Sequence, residues 1–317
     1  MSEINTSKKK VALAGVTGWT GKSVAAAILE SEDLELVAAV SRKAAGQALS
    51  SLELPFAGKP PAGTSAARKS SADSLSAGKS SASKSSVSNA VDNGRSAQAE
   101  NPASLLVSGS VARALEAQPD IFVDYTSALS VRDNVLAALE LGVSVVIGSS
   151  GLTSEDFEEI ERIALQKGVG VIACGNFSIT AALAKHFSLL AAKYLPQWEI
   201  IDYAHASKVD VPSGTVRELA EELSRVKENL LGLPLSALKG PVEARGAQIA
   251  GTPVHSVRLP SYVIAFETIF GLADERLVIK HEAGTSARPY VDGTLLAIRK
   301  VSQVKGLIRG LDRLLFD

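Results

Sequence analysis

The chain has 317 residues, of which 46% are hydrophobic and 21% are charged. This length is sufficient for two domains, and the composition is typical of a soluble globular protein. Because 33 basic residues balance 34 acidic ones, the overall charge gives no argument for nucleic acid or a membrane surface as a partner, and we expect small molecules instead.

The cysteine and histidine content narrows the chemistry further. Cys174 is the one cysteine of the sequence, which excludes an internal disulfide and agrees with a reducing compartment. The four histidines have no spacing typical of metal ligands, so we predict no metal site. The apolar run near the N-terminus breaks at Gly15 and Gly18 and is too short for a signal peptide or a membrane span. We therefore expect a cytoplasmic protein.

The first elements in chain order form a nucleotide-binding pattern. A strand over residues 11–16 leads into a glycine-rich turn, a helix and a second strand over residues 35–42. The turn has the spacing G-x-x-G-x-x-G at a position where backbone N–H groups and the helix dipole can receive a pyrophosphate. We favour cofactor binding over the alternative of a tight structural turn. The predicted contacts are Gly15, Val16, Thr17, Gly18, Trp19, Thr20 and Gly21.

The end of the second strand indicates which dinucleotide would bind. Where an NAD-preferring site usually has an acid, the chain has Ser41, Arg42 and Lys43. Arg42 can form a bidentate pair with a phosphate, and Lys43 adds positive charge. NADPH is therefore the favoured cofactor, with NADH as the alternative. These three residues could otherwise be a solvated strand end.

The composition changes abruptly at about residues 59–101, where Ser, Ala, Lys and Gly dominate. Such a segment cannot bury enough surface to offset the entropy of ordering, and we interpret it as a flexible insertion. It is either a solvated loop without function or a regulatory or lid segment, and the sequence does not choose between them. Helices and strands then alternate again, so residues 1–177 are predicted to form a doubly wound, Rossmann-type parallel-sheet domain.

A second domain is predicted from a change in pattern after Thr180, where longer helices precede β-rich segments. We expect residues 178–287 to form an α+β domain with an open mixed sheet, which would bind substrate and carry oligomer contacts. The apolar segment over residues 261–270 is interpreted as an exposed strand, compatible with self-association. Residues 288–317 are predicted as an amphipathic C-terminal helix that returns to the first domain.

Residues 199–215, EIIDYAHASKVDVPSGT, combine a strand, a cation and a helix start. The residues after this segment have apolar side chains at helical spacing, so its PSGT end should cap a helix. Unpaired N–H groups and the helix dipole would stabilise an anion there, although an ordinary N-cap is the alternative. Lys208, a few residues upstream, favours the anion site. The predicted anion contacts are Ser213, Gly214 and Thr215.

The same segment resembles the signature of the dihydrodipicolinate reductases, which reads approximately E-[IV]-[IV]-E-x-H-H-x-x-K-x-D-x-P-S-G-T. In that family the first histidine is the proton donor, and Ala204 stands in its place here. Residues 243–271 resemble a second segment of the family, in which Ala265 replaces a histidine near the middle of a strand. The signature positions that match are His205, Lys208, Asp210 and residues 212–215.

Two turns extend the resemblance into the first domain. The family contacts its nicotinamide cofactor through a G-T-T-G-like turn and an A-x-N-F-S-like turn, and the corresponding segments here are GSSG and CGNFS. The resemblance therefore implies cofactor contacts at Gly148, Ser149, Ser150, Cys174, Gly175, Asn176 and Phe177. We interpret Cys174 as a packed turn residue rather than a nucleophile, because no partner base is evident.

Membership of this family would imply NADPH-dependent reduction of a cyclic imine dicarboxylate, 4-hydroxy-tetrahydrodipicolinate, to tetrahydrodipicolinate in lysine and diaminopimelate biosynthesis. Lys208 is then the remaining candidate proton donor. His205 is expected to bind a substrate carboxylate or to take over part of the lost donor's role; its alternative is a half-buried strand histidine. A homotetramer is also implied. Two alternatives stay open: a nucleotide-binding pseudoenzyme with a regulatory role, and a related reductase of a different carboxylated imine.

Overall fold

The computed structural model describes residues 7–55 and 105–316, and the insertion predicted at about residues 59–101 lies outside the described residues. These ranges form one seven-stranded sheet, one five-stranded sheet and the helices packed on them. None of the helices in the two ranges combines the length and apolarity that crossing a membrane requires.

The first sheet is entirely parallel. Its strands are β1 Lys9–Ala14, β2 Leu34–Val40, β3 Val107–Ser108, β4 Ile121–Asp124, β5 Ser144–Ile147, β6 Gly170–Ala173 and β12 Gly306–Arg309. They are arranged in the order β12-β6-β5-β4-β1-β2-β3. Since β1 pairs with β2 on one side and with β4 on the other, the strand order reverses at β1, and a ligand crevice is expected beyond the carboxyl ends of β1 and β4.

Helices cover both faces of this sheet. Val11 and Leu13 of β1 belong to one hydrophobic core, whereas Ala12 and Ala14 belong to the other. Side chains alternate along a strand, so a nearly continuous apolar strand must be covered on both sides. The helices are α1 Trp19–Glu30, α2 Val111–Leu115, α3 Val131–Glu140, α4 Ser154–Lys167, α5 Ile179–Ala192, α6 Gly214–Val226, α7 Arg288–Lys300 and α8 Leu311–Phe316. The predicted doubly wound α/β architecture is confirmed.

The second sheet is mixed and open, as predicted. Its strands are β7 Trp198–Ala204, β8 Ala247–Ile249, β9 Thr252–Arg258, β10 Ile264–Gly271 and β11 Arg276–Ala283, in the order β11-β10-β7-β9-β8. The central strand β7 pairs parallel with β9 and antiparallel with β10. Its alternate residues Trp198 and Ile200 pack into a third core with Val216 and Leu219 of α6. One face of this sheet is therefore covered by helices.

Three details of the sequence interpretation are wrong. Residues 261–270 are not an exposed strand, because β10 lies between β7 and β11, and Phe266 and Phe270 are 1% and 0% exposed. The C-terminal segment is not one helix: α7 ends at Lys300, and β12 and α8 follow. Gly306 and Gly310 adopt φ of +80° and +97°, a conformation that interrupts a helix. The two-residue strand β3 was not anticipated.

Candidate active site

The glycine-rich turn between β1 and α1 is built for close backbone contact. Gly15 has φ of +88°, and a Cβ atom there would lie 2.2 Å from the carbonyl oxygen of Tyr125. A Cβ atom on Gly21 would lie 2.1 Å from the carbonyl oxygen of Gly15, so α1 can pack on the turn only with glycine at this position. Gly18 is the N-cap of α1 and provides no side-chain cap, which leaves the first N–H groups of the helix available for an anion.

The rest of the predicted turn divides into different roles. The helix begins at Trp19, so Trp19 and Thr20 belong to its first turn rather than to the loop. The side chain of Val16 is buried in the core, and only its backbone could contact a ligand. Thr17 Oγ1 and Ser41 Oγ are hydrogen-bonded at 2.8 Å, which ties the turn to the end of β2.

A cavity of about 550 Å³ opens at the carboxyl ends of β1, β2 and β4, and we call it the strand-end cavity. Arg42 and Lys43 at its edge are exposed and form no salt bridge with any residue in the described ranges. Both cations are thus available to a phosphate. The predicted cofactor residues that line this cavity are Gly15, Thr17, Gly18, Ser41, Arg42 and Lys43. Its cationic edge can receive a phosphate group.

Asp124, at the end of β4, organises the floor of this region and was not anticipated from the sequence. Its buried carboxylate accepts hydrogen bonds from Thr126 N at 2.9 Å, Thr126 Oγ1 at 2.7 Å and Asn134 Nδ2 at 2.9 Å. It also accepts one from Ser149 Oγ at 2.6 Å. Thr126 and Asn134 line the strand-end cavity, so one carboxylate orders two turns and a helix around it. In the sequence, an acidic residue at the end of an apolar strand could have indicated this role.

The predicted residues of the two later turns are held mainly as packing elements. Ser149 is bound to Asp124, and a Cβ atom on Gly148 would lie 2.2 Å from the Tyr125 ring. The buried ring of Phe177 lies 6.1 Å from the Tyr125 ring, between centroids. Ser150 is exposed. Residues 148–150 and Phe177 do not line the strand-end cavity, although Tyr125 does. Cofactor contacts of the two turns would therefore come chiefly from their backbone.

Cys174 has no feature of a nucleophile. It is 5% exposed, and burial raises the pKa of its thiol, an effect that Glu218 and Asp312 reinforce. The thiolate, which is the reactive form, is therefore disfavoured. Within the described residues, no group of three or more His, Cys, Asp or Glu side chains could hold a metal ion.

A second cavity, of only about 20 Å³, lies where α5, α6 and α8 meet, and we call it the helix-junction cavity. Two predicted cofactor residues, Gly175 and Asn176, line it together with a predicted substrate residue, Thr215. The fold thus brings the turn after β6 next to the start of α6, although about 40 residues of sequence separate them. Its other polar lining residues are Lys185, Glu218 and Asp312.

Lys185 and its partners form a buried ion cluster that the sequence did not reveal. The Nζ atom lies 2.7 Å from Glu218, 2.8 Å from Glu222 and 3.2 Å from Asp312. Burial raises the pKa of Glu222, whereas Lys185 opposes this rise. The cluster links α5, α6 and α8, three helices that are distant in sequence, so no local pattern could have identified it.

The start of α6 is open, as an anion site requires. Ser213 is the N-cap, but its side chain makes no capping bond, because Ser213 Oγ donates to Asp202 Oδ1 at 2.7 Å. A Cβ atom on Gly214 would meet no atom within 4 Å, so this side of the helix start is unobstructed. Ser213 N donates to Asp202 Oδ2 at 2.8 Å, whereas the N–H groups of Gly214 and Thr215 have no side-chain acceptor among the described residues.

The loop between β7 and α6 carries the two other predicted residues. Lys208 N donates to the His205 carbonyl at 2.9 Å, and Lys208 Nζ lies 2.7 Å from Asp210 Oδ1. His205 is exposed, and its Nδ1 atom forms a 2.7 Å hydrogen bond with Ser207 Oγ. The alternative of a half-buried strand histidine is therefore wrong, since His205 follows the last residue of β7. Neither Lys208 nor His205 lines the two cavities described above.

The two alanines at which the family resemblance implies a histidine are both buried. Ala204 is 0% exposed at the end of β7, and Ala265 is 3% exposed on β10. Ala204 pairs with Arg258 in the parallel register between β7 and β9. A larger side chain at either position would have to displace packed neighbours.

Comparisons with known proteins agree on one family. Residues 62–177 match the family model described as "Dihydrodipicolinate reductase, N-terminus", and residues 177–315 match "Dihydrodipicolinate reductase, C-terminus". The 4-hydroxy-tetrahydrodipicolinate reductase of Moorella thermoacetica is 34% identical over 306 residues, which cover 96% of this chain and 97% of the relative. The enzyme of the same name from Desulfitobacterium hafniense is 40% identical over 208 residues, covering 65% and 76%.

Solved structures give the same result. A dipicolinate-bound dihydrodipicolinate reductase from Paenisporosarcina sp. TG-14 superposes with a TM-score of 0.71 and 26% identity, covering 97% of this chain and 99% of that one. An amine dehydrogenase from Mycobacterium smegmatis has a TM-score of 0.59 at 13% identity, covering 97% and 96%. The second likeness concerns the fold alone.

Proposed function

The chain belongs to the dihydrodipicolinate reductase family of oxidoreductases, and we propose that it reduces 4-hydroxy-tetrahydrodipicolinate to tetrahydrodipicolinate with NADPH, in cytoplasmic lysine and diaminopimelate biosynthesis. The observation that carries this proposal is the adjacency of the turn after β6 and the start of α6, because Gly175 and Asn176 line the same small crevice as Thr215. A cofactor turn and an anion-binding helix start are neighbours there. Hydride transfer needs such proximity between the two reactants.

The cofactor would be held at the strand-end cavity. The glycine turn and the open start of α1 suit the pyrophosphate, and Arg42 and Lys43 suit the 2′-phosphate that distinguishes NADPH from NADH. When bound, NADPH supplies the hydride. The cationic edge of the cavity supports NADPH over NADH.

The substrate is a dicarboxylate, and the loop and helix start after β7 offer two places for negative charge. One carboxylate would accept hydrogen bonds from the N–H groups of Gly214 and Thr215, where the helix dipole adds to the attraction. Ser213, whose N–H and hydroxyl groups both donate to Asp202, would hold this helix start in place. His205, exposed on the same loop, would bind the second carboxylate or assist in proton transfer. The bound dipicolinate of the Paenisporosarcina relative, a planar dicarboxylate, supports this ligand class.

Lys208 would donate the proton that completes the reaction. The 4-hydroxyl group leaves as water, hydride adds to one atom of the resulting conjugated imine, and a proton must reach the neighbouring atom. The Lys208 side chain is 29% exposed and is held by one carboxylate, Asp210, so it can turn from that partner to a substrate. Lys208 would thus supply the proton that the first histidine of the family signature supplies, because Ala204 stands at that position here.

Homotetramer formation through the second sheet is also proposed. Helices cover one face of this sheet, while Ile201 and Tyr203 of β7 on the other face are only partly buried. A second copy of the chain would bury such a face. Size-exclusion chromatography with light scattering measures the mass directly, and a monomeric mass would contradict this part of the proposal.

The decisive experiment is an assay of the purified chain with NADPH and freshly generated 4-hydroxy-tetrahydrodipicolinate. Oxidation of NADPH that depends on this substrate supports the proposal. Tight NADPH binding without turnover would favour a nucleotide-binding pseudoenzyme, which the buried alanines 204 and 265 make the main competitor. Reduction of another carboxylated imine, with no turnover of the proposed substrate, would favour the related reductase.

A further inference from the structure

Asp202 on β7 is a buried carboxylate, 1% exposed, whose oxygens are fully engaged. Its Oδ2 atom accepts hydrogen bonds from Ser213 N at 2.8 Å and from Arg258 Nη2 at 2.6 Å, and its Oδ1 atom accepts one from Ser213 Oγ at 2.7 Å. The carboxylate therefore fixes the N-cap of α6 to the central strand of the sheet. Because Ser213 Oγ donates to Asp202, the Ser213 side chain does not cap α6.

Arg258, the last residue of β9, connects this carboxylate to the loop that carries Lys208. Its Nη2 atom also donates to the carbonyl of Asp210 at 2.9 Å, and Nη1 donates to the carbonyl of Asp202 at 3.2 Å. The side chain of Asp210 in turn holds Lys208 Nζ at 2.7 Å. A single guanidinium group thus spans the strand, the loop and, through Asp202, the start of α6.

Stability alone explains this arrangement poorly. The Nε atom of Arg258 is buried and has no hydrogen-bond partner in the described part of the chain. An unsatisfied buried donor is unfavourable, and buried ion pairs are often replaceable by apolar residues without loss of stability. A planar fork that binds several acceptors at once is, by contrast, well suited to fixing their relative positions.

We propose that Arg258 is a positioning residue, which sets the spacing between the Lys208 ammonium and the N–H groups at the start of α6. The kinetic consequence rests on the proposed function, because one substrate must reach both groups; the structural consequence does not. In the register of β7 and β9, Arg258 lies opposite Ala204. The backbone of Arg258 therefore lies beside Ala204, the position at which the family resemblance implies a histidine.

The test compares Arg258→Lys with Arg245→Lys. Arg258→Lys keeps the positive charge but removes the planar guanidinium group, which donates to several acceptors in a fixed geometry. Arg245 pairs with Glu199 on β7, the strand that carries Asp202, and its side chain is 39% exposed. Among the described residues it forms no hydrogen bond or salt bridge with the loop or α6, which makes it the control. We expect amide hydrogen exchange over residues 205–216 to become at least about tenfold faster in Arg258→Lys only. We also expect kcat to fall by about 10- to 100-fold, since a displacement of about 1 Å has effects of this size, with the KM for NADPH unchanged.

Three outcomes would overturn the inference. The first is wild-type exchange and wild-type kcat in Arg258→Lys. The second is faster exchange throughout the second sheet, which indicates a general structural role. The third is an equal effect in Arg245→Lys. If the wild-type chain does not turn over this substrate, the proposed function fails, and the exchange measurement still decides the positioning role. Asp202→Asn, which keeps the size of the side chain, is the second variant in case Arg258→Lys does not fold.

Discussion

Two lysines near the candidate active site are both ion-paired, yet their surroundings differ. Lys185 on α5 has a side chain that is 9% exposed and contacts three carboxylates at 2.7–3.2 Å. Lys208 on the loop before α6 has a side chain that is 29% exposed and contacts one carboxylate at 2.7 Å. Although burial acts to lower it, the pKa of Lys185 is held above its usual value by Glu218, Asp312 and Glu222.

The difference shows how surroundings assign roles to the same side chain. An ammonium that is desolvated among three carboxylates cannot leave them without leaving their charges unpaired, so it is a structural group. An ammonium with one partner and access to solvent can exchange that partner for a ligand. The structural lysine ties three helices together, and the accessible one is free to act on a substrate.

Removal of the accessible lysine, Lys208, should have the largest effect on turnover. In Lys208→Ala, turnover with NADPH and the imine dicarboxylate should fall by about 100- to 10,000-fold, the usual range for loss of a general acid, while NADPH binding stays unchanged. The measurements are steady-state kinetics and fluorescence titration of NADPH. Lys227→Ala, which changes an exposed lysine at the other end of α6, is the control. A wild-type kcat in Lys208→Ala would refute the assigned role.

Removing the structural lysine should affect folding rather than chemistry. Lys185→Met leaves Glu218, Glu222 and Asp312 crowded together without their cation, and we expect the free energy of unfolding to fall by about 3–5 kcal/mol. Urea denaturation measures this change. Lys193→Met, at the exposed end of the same helix, should be nearly neutral. Equal stability of the two variants would mean that the cluster contributes little.

Arg42 and Lys43 at the strand-end cavity are, like Lys208, cations that a ligand can reach. Arg42 has no carboxylate partner among the described residues, so its removal should affect binding of a phosphate and leave stability unchanged. In Arg42→Ala we expect the KM for NADPH to rise by about 10- to 100-fold, the equivalent of one charge-assisted hydrogen bond, and the KM for NADH to stay unchanged. A parallel rise for both cofactors would contradict recognition of the 2′-phosphate.

The smallest expected effect concerns His281, a buried histidine that forms no salt bridge with any described residue. His281 is 5% exposed, burial lowers its pKa, and its Nε2 atom lies 3.3 Å from Ser178 Oγ. The unfolded chain takes up a proton as the pH falls through about 6.5, whereas the folded chain does so only at lower pH. Stability should therefore decline below about pH 6.5, by about 1.4 kcal/mol per pH unit at most.

Urea denaturation of the wild type and of His281→Gln at several pH values between 7.5 and 5 separates this contribution from those of other groups. The decline should be smaller in the variant. Identical pH dependence in the two proteins would show that His281 titrates alike in the folded and unfolded chains.

The fold was predictable where elements have strong local signals. The sequence alternates apolar strands with helices after the glycine turn. This pattern indicates a parallel sheet, because nearly continuous apolar strands must be covered by helices on both faces. The prediction failed for β3 and β12, which have two and four residues. The two residues of β3 have little propensity of their own, and β12, which is as long as β4, lies in a segment whose apolar spacing is also typical of a helix. Both strands pair with edges that β2 and β6 offer.

The candidate site divides in the same way. Lys208 and the start of α6 lie within one segment, so a single run of sequence carried the strand, the cation and the helix start together. Arg258 and Lys185 were missed because their partners lie up to 127 residues away, as between Lys185 and Asp312. A charged residue in the sequence does not indicate whether it will be buried or what will neutralise it.

By itself, then, the sequence determined the doubly wound architecture, the glycine turn and the family signature, since these depend on neighbouring residues. The tertiary structure alone decided which lysine is locked and which is accessible, and which carboxylate holds the start of α6. Burial and charge pairing are properties of surfaces that come together only when distant segments pack.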